Sequence, residues 1–340
     1  MINALMLYRV LSFTLLLSVL TIHPVFAKAN NNDVSDLIQN EITFTVWLEQ
    51  FQIEARNSGI SDNTVQTALN KAKLMRRVIE LDRSQPEVKL TFDQYLSKVI
   101  TQSRIQRGRN RLAKNRKLLD EIYRTFGVPP RFVVALWGIE TDYGRLTGGF
   151  KVVDALVTLA YEGRRADYFR RELLNALRII DQGHISTKKM KGSWAGAMGQ
   201  TQFMPSTFLQ YAVDFSGDGK KDVWRSKHDA LASGANYLSK IGWQKNQTWG
   251  REVKLPDNFD ENLLGLERAK SLTHWKTLGV KKINGGDLPD ADMRGSIIRL
   301  TGEKERSFLV YDNFHVIMQW NRSQNFATAV GILADSIGEL

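Results

Sequence analysis

Apolar residues recur at intervals of three and four positions over most of the chain before Gly242. This spacing is typical of amphipathic helices that bury one face. In the first predicted stretch, Phe44, Trp47, Leu48 and Phe51 share such a face. The pattern predicts helical structure over 33–81, 101–126, 131–144, 153–159, 166–182, 204–213 and 229–241.

Residues that favour caps and turns divide these stretches. Ser61-Asp62-Asn63 can cap a helix from Thr64, and Ser84-Gln85-Pro86 interrupts the helical pattern. Gly127-Val128-Pro129-Pro130 closes one helix and opens the next, because proline fits the first turn of a helix. Residues 191–199 are too rich in small side chains to make a good helix.

The pattern changes after Gly242. Residues 249–256 and 296–311 alternate or are β-rich between Gly, Asn and Pro, which predicts strands. Between these strands, 258–270 is compatible with a helix or a loop, and a last helix is predicted from Ser323. The expected fold class is therefore mostly α (α+β), with a small β-containing insert before the last helix.

The first 27 residues have the features of an export signal. An apolar run from Val10 to Leu20 is followed by Val25-Phe26-Ala27, a small-residue cleavage site. The run is short for a membrane span, although an uncleaved anchor is the alternative. The chain has no cysteine, so it has neither a disulfide nor a cysteine for lipid attachment. We therefore expect a periplasmic protein without a stable membrane anchor.

The chain is strongly basic. Its formal net charge is +11, and it falls by one to +10 without 1–27, where Arg9 is the only charged residue. A basic exported protein is expected to meet an anionic cell-wall polymer or membrane surface rather than nucleic acid. The alternative is that the charge serves solubility alone. Many of the basic residues lie within 101–126, where a solvated helix face is the ordinary interpretation.

Glu140 is the strongest candidate for acid–base chemistry. It follows an apolar segment that includes Val133, Val134, Leu136 and Trp137. A carboxyl group in such surroundings is desolvated, which raises its pKa and suits it to donate a proton near neutral pH. The alternative is a structural glutamate that is paired with an arginine or bonded to backbone at a helix end.

Asp142 is a poor partner for Glu140. Positions i and i+2 of a helix point to different faces, whereas glycosidases with two carboxylates place them across the scissile bond. We expect Asp142 to make a local interaction that fixes the end of the helix.

The segment from Lys191 to Thr207 has the composition of a ligand groove. Its glycines and alanines permit close approach of backbone to a ligand. Gln200 and Gln202 carry amides that both donate and accept hydrogen bonds, as sugar hydroxyl and acetamido groups require. A tight structural loop is the alternative.

The segment from Asp214 to Asp222 follows the start of an EF-hand loop. Oxygen-bearing side chains occupy positions 1, 3, 5 and 9, and Gly219 occupies position 6. Position 12, where a glutamate is expected, is Arg225, so Asp229 would have to close the site from a longer loop. An Asp/Gly turn without metal is the alternative. The five histidines are scattered without zinc-ligand spacing, and G-x-S-x-G and phosphate-binding Gly-Lys-Ser motifs are absent.

Four segments in this order resemble the lytic murein transglycosylase B family: GIETDYG, YEGRRADYF, GSWAGAMGQTQFMPSTFLQYAVDFSGDGKKDVW and ANYLSKIGW. The resemblance is dense from Gly127 to Trp243 and thinner elsewhere. It implies a lysozyme-like catalytic core and cleavage of the β-1,4 bond between N-acetylmuramic acid and N-acetylglucosamine in peptidoglycan. The muramoyl 6-hydroxyl would attack its own anomeric carbon, giving 1,6-anhydromuramoyl ends.

The resemblance also implies roles for individual residues. Glu140 would serve as the acid and then as the base. The implied substrate-binding residues are Ser193, Gln202, Arg164, Arg165, Tyr237, Tyr95 and Asn321. The implied structural calcium site comprises Asp214, Ser216, Asp218, Lys220 and Asp229.

Pattern and resemblance together predict five parts of a monomer that binds glycan strands. These are a signal peptide (1–27), an N-terminal helical region (28–126), the lysozyme-like core with its EF-hand-like loop (127–245), a small mixed β domain (246–312) and a C-terminal segment that returns to the core (313–340). A hydrolytic muramidase on the same fold and a non-catalytic peptidoglycan-binding protein are the alternative functions.

Overall fold

The computed structural model describes residues 31–84, 90–162, 164–302 and 305–338, with side chains from Thr43 onward. The predicted export signal, residues 1–27, lies outside the described residues. Within the described part, no helix is both long enough and apolar enough to span a bilayer.

Helices dominate the described chain, which confirms the expected fold class. They are α1 (Asn31–Asn57), α2 (Asp62–Leu69), α3 (Arg76–Arg83), α4 (Phe92–Val99), α5 (Gln102–Lys114), α6 (Arg116–Phe126), α7 (Pro130–Thr141), α8 (Val152–Glu162), α9 (Ala166–Asp181), α10 (Pro205–Tyr211), α11 (Lys227–Lys240), α12 (Leu272–Thr277), α13 (Asp312–Trp320) and α14 (Gln324–Gly338).

Local capping determines where several helices begin and end. The Ser61 side chain accepts a hydrogen bond from the Thr64 backbone N–H and starts α2, as predicted. The chain leaves α6 at Gly127, whose φ of 73° is readily adopted only by glycine, and α7 begins with Pro130.

Two predicted helical stretches are divided in the structure. The stretch 33–81 contains α1, α2 and α3, and the stretch 101–126 is interrupted at Asn115. The Asn115 side chain donates to the Arg111 carbonyl at 2.8 Å and accepts from Lys227 Nζ at 3.1 Å. With φ −113° and ψ 20°, Asn115 is outside helical geometry, so α5 ends before it and α6 begins after it. The pattern also missed the short helices α4, α12 and α13.

The small-residue segment and the later β pattern form two separate sheets. The first pairs β1 (Phe150–Lys151) with β2 (Lys191–Gly192). The second is antiparallel and comprises β3 (Gly250–Lys254), β4 (Lys270–Ser271), β5 (Lys281–Lys282), β6 (Arg294–Leu300) and β7 (Arg306–Val310), in the order β4-β6-β7-β3-β5. The strands predicted within 249–256 and 296–311 are confirmed. Of the two alternatives for 258–270, the loop is observed, with one 3-10 turn at Glu261–Leu263 and with Lys270 already in β4.

The core places α7 at the centre of the helical part. Residues 132–139 are all buried, and α14 packs along α7 after the chain returns from the sheet. The five-stranded sheet has a second, smaller core around Trp275, Leu272 and Ile297. The predicted division into five parts stays a prediction, because the helices and strands do not by themselves set domain boundaries.

Trp249 joins the start of the sheet to the last helix. Its indole N–H donates to Asp335 Oδ2 at 2.9 Å, and its ring lies directly over Gly331 of α14. A Cβ atom at Gly331 would overlap the indole ring, which is only 1% exposed.

We expect Gly331→Ala to lower the free energy of unfolding by about 1–3 kcal/mol, because the buried ring has to shift to admit the methyl group. Urea unfolding followed by fluorescence measures the change. Gly149→Ala is the matched control, since a Cβ at this exposed loop glycine meets nothing within 4 Å. Equal stability of the two variants would contradict the close packing of α14 on Trp249.

Candidate active site

Glu140 lies in the last turn of α7, where the buried helix reaches the surface. It is partly exposed, in contrast to the eight buried residues that precede it. The indole Nε1–H of Trp320 donates to Glu140 Oε1 at 2.6 Å. An indole N–H can only donate, so Oε1 is an acceptor and a proton on the neutral acid would sit on Oε2. This contact joins residues 180 positions apart in the chain.

Aromatic side chains surround the Trp320 indole. The Tyr237 ring of α11 lies 5.0 Å from the Trp320 ring, and the Phe203 ring lies 5.3 Å from it. Tyr211 of α10 packs edge-on against Tyr237 at 4.7 Å, and the Tyr237 hydroxyl donates to the Gln319 carbonyl at 2.9 Å. Phe203 is fully buried and Trp320 nearly so, so these rings fix the indole beside the carboxyl group. The partly exposed Tyr211 and Tyr237 are the members of the cluster that can meet a ligand.

Tyr95 of α4 lies in the electrostatic field of Glu140. Burial raises the pKa of Tyr95 well above its ordinary value, the Glu140 charge raises it further, and Arg104 opposes both effects. The phenol consequently stays protonated and can donate a hydrogen bond at any physiological pH. The structure thus brings together Glu140, Tyr95 and Tyr237, three of the residues singled out from sequence.

Asp142 ends α7, as expected from its position in the sequence, and its carboxylate faces arginines, which were not predicted. It adopts a left-handed conformation with φ 49° and ψ 50°. Its carboxylate accepts hydrogen bonds from Arg107 Nη2 at 2.8 Å and Arg145 Nη1 at 2.7 Å, while Arg104 Nε is 3.9 Å away. Because these cations occupy the carboxylate, Asp142 acts as a structural group at the helix end.

The basic residues of α5 are more than a solvated face. Arg107 binds Asp142, Arg109 donates to the Ser336 carbonyl at 2.8 Å, and the Arg111 guanidinium lies 5.7 Å from the Trp137 ring centre. These contacts hold α5 against α7 and α14. The interpretation of the basic run as solvent-exposed is therefore wrong for these three residues.

The glycine-rich segment is fastened to the end of α7. In the Gln200 side chain, Oε1 accepts from Trp137 Nε1 at 3.0 Å and Nε2 donates to the Trp224 carbonyl at 3.3 Å. The backbone carbonyl of Gln200 accepts from Thr141 Oγ1 at 3.1 Å. Gly199 permits this fit, since it has a φ of 62° and a Cβ would lie 2.6 Å from the Val223 carbonyl oxygen. Buried Gln200 therefore serves the fold, contrary to the expectation that its amide faces sugar.

Ser193 and Gln202 are positioned by the same segment. The Ser193 hydroxyl accepts from the Ala197 backbone N–H at 3.0 Å. Gln202 has a φ of 51°, and its Nε2 donates to the carbonyls of Gly199 at 2.8 Å and Thr147 at 3.2 Å. These backbone contacts fix the direction of both side chains before any ligand arrives.

The loop after α10 gathers three carboxylates. One oxygen from each of Asp214, Asp218 and Asp229 lies within 4.8 Å of the others. Asp229, fully buried in the first turn of α11, accepts backbone N–H bonds at 2.9 Å from Phe215, Ser216 and Asp222. Carboxylate oxygens at this spacing fit a hard divalent cation such as calcium.

Backbone hydrogen bonds prepare Asp214 for such a role. Desolvation acts to raise the pKa of Asp214, but N–H donors from Gly219 and Gly217 and the Ser216 hydroxyl outweigh it, so the pKa is lowered. The lowered pKa favours the charged carboxylate that a cation requires.

Residues 43–335 match the family described as the transglycosylase SLT domain. The chain belongs to this family. It is 32% identical over 296 residues to membrane-bound lytic murein transglycosylase B of Escherichia coli strain K12, which covers 82% of this chain and 79% of that protein. The resemblance noted from the sequence motifs is confirmed.

Solved structures of lytic transglycosylases share the fold. SltB3 of Pseudomonas aeruginosa in complex with NAG-anhNAM-pentapeptide is 43% identical with a TM-score of 0.85, covering 87% of this chain and 80% of that one. Escherichia coli Slt35 in complex with calcium is 31% identical with a TM-score of 0.73, covering 85% and 92%. The chain therefore has the lysozyme-like fold of the lytic transglycosylases.

Other residues implied by this transglycosylase family lie in structural contacts. Arg165 Nη2 is 2.9 Å from Asp82 Oδ1, and Arg164 donates to the Asp82 carbonyl at 3.1 Å, so the pair fastens the end of α3 to the start of α9. The Arg164 side chain nevertheless remains 59% exposed. Asn321 follows Trp320 and accepts from the Ser323 backbone N–H at 3.1 Å.

Sequence reasoning missed the contact of Trp320 with Glu140. The one sequence feature that pointed to this region was the resemblance of Trp320-Asn321 to an aromatic-Asn pair of the family. From that pair, only Asn321 was taken as a candidate site residue. The return of 313–340 to the core was predicted, but neither the helix α13 nor its contact with the end of α7 was.

We expect Trp320→Phe to lower the rate of muropeptide release from peptidoglycan about 10- to 100-fold, because a hydrogen bond to an ionisable group is lost while the ring packing is kept. Mass-resolved release of soluble products measures the rate. Trp243→Phe is the control, since among the described residues the buried Trp243 Nε1 has no hydrogen-bond partner. Equal rates for the two variants would contradict a role of Trp320 at the site.

Proposed function

We propose that the protein is a periplasmic lytic transglycosylase that cleaves the β-1,4 bond between N-acetylmuramic acid and N-acetylglucosamine. The observation that carries this proposal is a single acidic group in an aromatic setting. Glu140 is held by Trp320, whereas Asp142 is occupied by arginines. Among the described residues that line the cavity beside Glu140, Glu140 is the only acid. One carboxyl group must then act twice, as the acid and as the base.

In the first step, Glu140 transfers its proton to the glycosidic oxygen, and the bond between that oxygen and the muramoyl anomeric carbon breaks. Positive charge develops at the anomeric carbon, and the acetamido group of the sugar is the expected neighbour that stabilises it. The Glu140 carboxylate then takes the proton of the muramoyl 6-hydroxyl as this oxygen bonds to the anomeric carbon. The products are a 1,6-anhydromuramoyl end and a regenerated acid, with no water consumed.

Ser193, Gln202, Tyr95, Tyr237 and Asn321 are the proposed contacts to the glycan. Tyr95 and Tyr237 are supported by their positions near Glu140, and Ser193 and Gln202 by the backbone contacts that orient them. We assign Arg164 and Arg165 to stem-peptide carboxylates, for which the exposure of Arg164 is the support. The complex of SltB3 with NAG-NAM-pentapeptide shows that a relative binds such a ligand.

A structural calcium ion is proposed for Asp214, Ser216, Asp218, Lys220 and Asp229. The support is the convergence of three carboxylates, with Lys220 expected to contribute its carbonyl oxygen. We further propose that the protein is an exported monomer without a stable membrane anchor. The basic charge and the peptidoglycan-acting relatives support export, and the lack of a cysteine for lipid attachment supports the absence of a lipid anchor.

We expect Glu140→Gln to lower product formation about 10²- to 10⁴-fold, because the amide can neither donate nor accept the transferred proton as a carboxyl group does. The assay is a digest of purified peptidoglycan with muropeptides resolved by mass. Glu49→Gln, on the exposed face of α1, is the control and should match the wild-type protein.

The same digest separates the alternative functions. Anhydro ends from the wild-type protein support the proposal, and reducing ends heavier by one water would show a hydrolytic muramidase instead. Sedimentation with peptidoglycan without any soluble product would show a binding protein.

For the calcium site, we expect chelation to lower the melting temperature and added calcium to restore it. A ligand at 100-fold excess over its Kd stabilises the folded state by about 2.7 kcal/mol. Asp218→Ala should abolish the calcium-dependent shift, whereas Asp287→Ala, an exposed aspartate of the β insert, should keep it. An identical melting curve with and without chelator would refute the site.

A further inference from the structure

Residues 182–213 carry charge of one sign. Apart from His184, their charged members are Lys188, Lys189 and Lys191, and the stretch contains no acid. All three lysines are exposed, and within the described chain none of them forms an ion pair. A surface that concentrates one sign of charge without internal partners favours association with a group of the opposite sign.

The loop before α11 lies against the segment that carries these lysines. The Lys221 backbone N–H donates to His184 Nδ1 at 3.3 Å, and the Trp224 indole N–H donates to the Lys191 carbonyl at 2.9 Å. These two hydrogen bonds bring the loop 220–225 alongside the lysines, so the cations of both segments share one surface.

Strand pairing adds another cation to this surface. In the two-stranded sheet, Lys151 of β1 stands opposite Lys191 of β2. The Lys151 side chain is 67% exposed, although its Nζ lies 3.7 Å from Asp154 Oδ2. Together the cations form a basic strip, whose members are exposed except for the half-buried Lys221. The basic strip consists of Lys151, Lys188, Lys189, Lys191, Lys221 and Arg225.

The acids of the neighbouring loop are engaged by its backbone. Asp214, Asp218, Asp222 and Asp229 each accept a hydrogen bond from a backbone N–H group within 217–224. Among the residues that the structure describes, none of these carboxylates forms an ion pair with the basic strip. They consequently do not neutralise its cations by direct contact.

The basic strip borders the proposed glycan groove and lies apart from the arginine pair. Lys191 precedes Ser193, a proposed glycan contact, by two positions. Lys151 directly precedes α8, whereas Arg164 and Arg165 follow its end. Because α8 has 11 residues, it separates these two places by about 16 Å. A single carboxylate cannot contact both, so the basic strip is a second surface for anions.

We propose that the basic strip binds carboxylates of peptidoglycan stem peptides beside the glycan that occupies the groove. The inference rests on the proposed function, since a chain that acts on peptidoglycan meets many such peptides. A peptide stem ends in a carboxylate, and lysine and arginine bind carboxylates through charge-assisted hydrogen bonds. The relative SltB3 is solved with NAG-NAM-pentapeptide, a fragment that carries a pentapeptide.

An anionic membrane surface is the alternative partner. The continuity of the basic strip with the segment of Ser193 favours peptidoglycan, because a glycan in the groove brings its stem peptides to this edge. Each exposed ion pair is weak, but a polymer offers many carboxylates, and simultaneous contacts raise the overall affinity. The basic strip is therefore expected to hold the polymer and not to take part in bond cleavage.

The test measures cosedimentation with intact peptidoglycan sacculi in the Glu140→Gln background, in which cleavage is slow. We expect the added substitutions Lys188→Gln, Lys189→Gln and Lys191→Gln, made together, to weaken binding about 5- to 30-fold at low salt, because three exposed ion pairs are lost. Raising the ionic strength should reduce this difference, since exposed charges are screened by salt.

The matched control removes the same charge elsewhere. Lys71→Gln, Lys254→Gln and Lys281→Gln replace exposed lysines outside the basic strip and should leave binding to sacculi unchanged. Equal binding by the two triple variants would overturn the inference.

Two further binding partners identify the source of the negative charge. On sacculi whose free carboxyl groups have been converted to amides, the two triple variants should bind alike, and a persistent difference would overturn the inference. Vesicles of phosphatidylglycerol report on the alternative: if the triple substitution at 188–191 weakens binding to vesicles but not to sacculi, the partner is a lipid surface and the inference is overturned. Failure of the proposed function would show separately, as absence of anhydro products from the wild-type digest.

Discussion

The hydrogen bond from Trp320 to Glu140 is the contact on which the arrangement of the site depends. It connects the buried helix α7 with α13, which the chain reaches only after completing the five-stranded sheet. The sheet is packed onto the helical core, because Trp249 at its start contacts α14. Residues 312–338, which form α13 and α14, return to the helical core and bring an indole donor to the carboxyl group.

The two neighbouring acids of α7 differ in role because they differ in surroundings. Glu140 faces an indole donor and a cluster of aromatic rings, whereas Asp142 turns away into a left-handed helix end and binds Arg107 and Arg145. In the proposed mechanism one acid serves twice, which suits a reaction in which the nucleophile is the substrate's own hydroxyl. The arginines of α5 thereby contribute to the site indirectly, since they anchor the end of the helix that carries Glu140.

Contacts within the protein hold much of the candidate site in place. Gln200 and Thr141 fasten the glycine-rich segment to α7, and Asp229 ties the carboxylate loop to α11. Such contacts set side-chain directions in advance, which lowers the cost of ordering them on binding. These contacts also explain why Gln200 serves the fold while nearby Gln202 remains a candidate ligand contact.

The sequence by itself determined the helical class, the strands after Gly242, the candidate acid Glu140 and the family. These follow from periodicity, from local capping and from long motifs, all of which act over short distances along the chain. The tertiary structure alone decided that Trp320 contacts Glu140, that the α5 arginines bind Asp142 and the surfaces around it, and that Gln200 faces the protein interior. Those outcomes depend on which distant segments pack together, and neither propensity nor spacing carries that information.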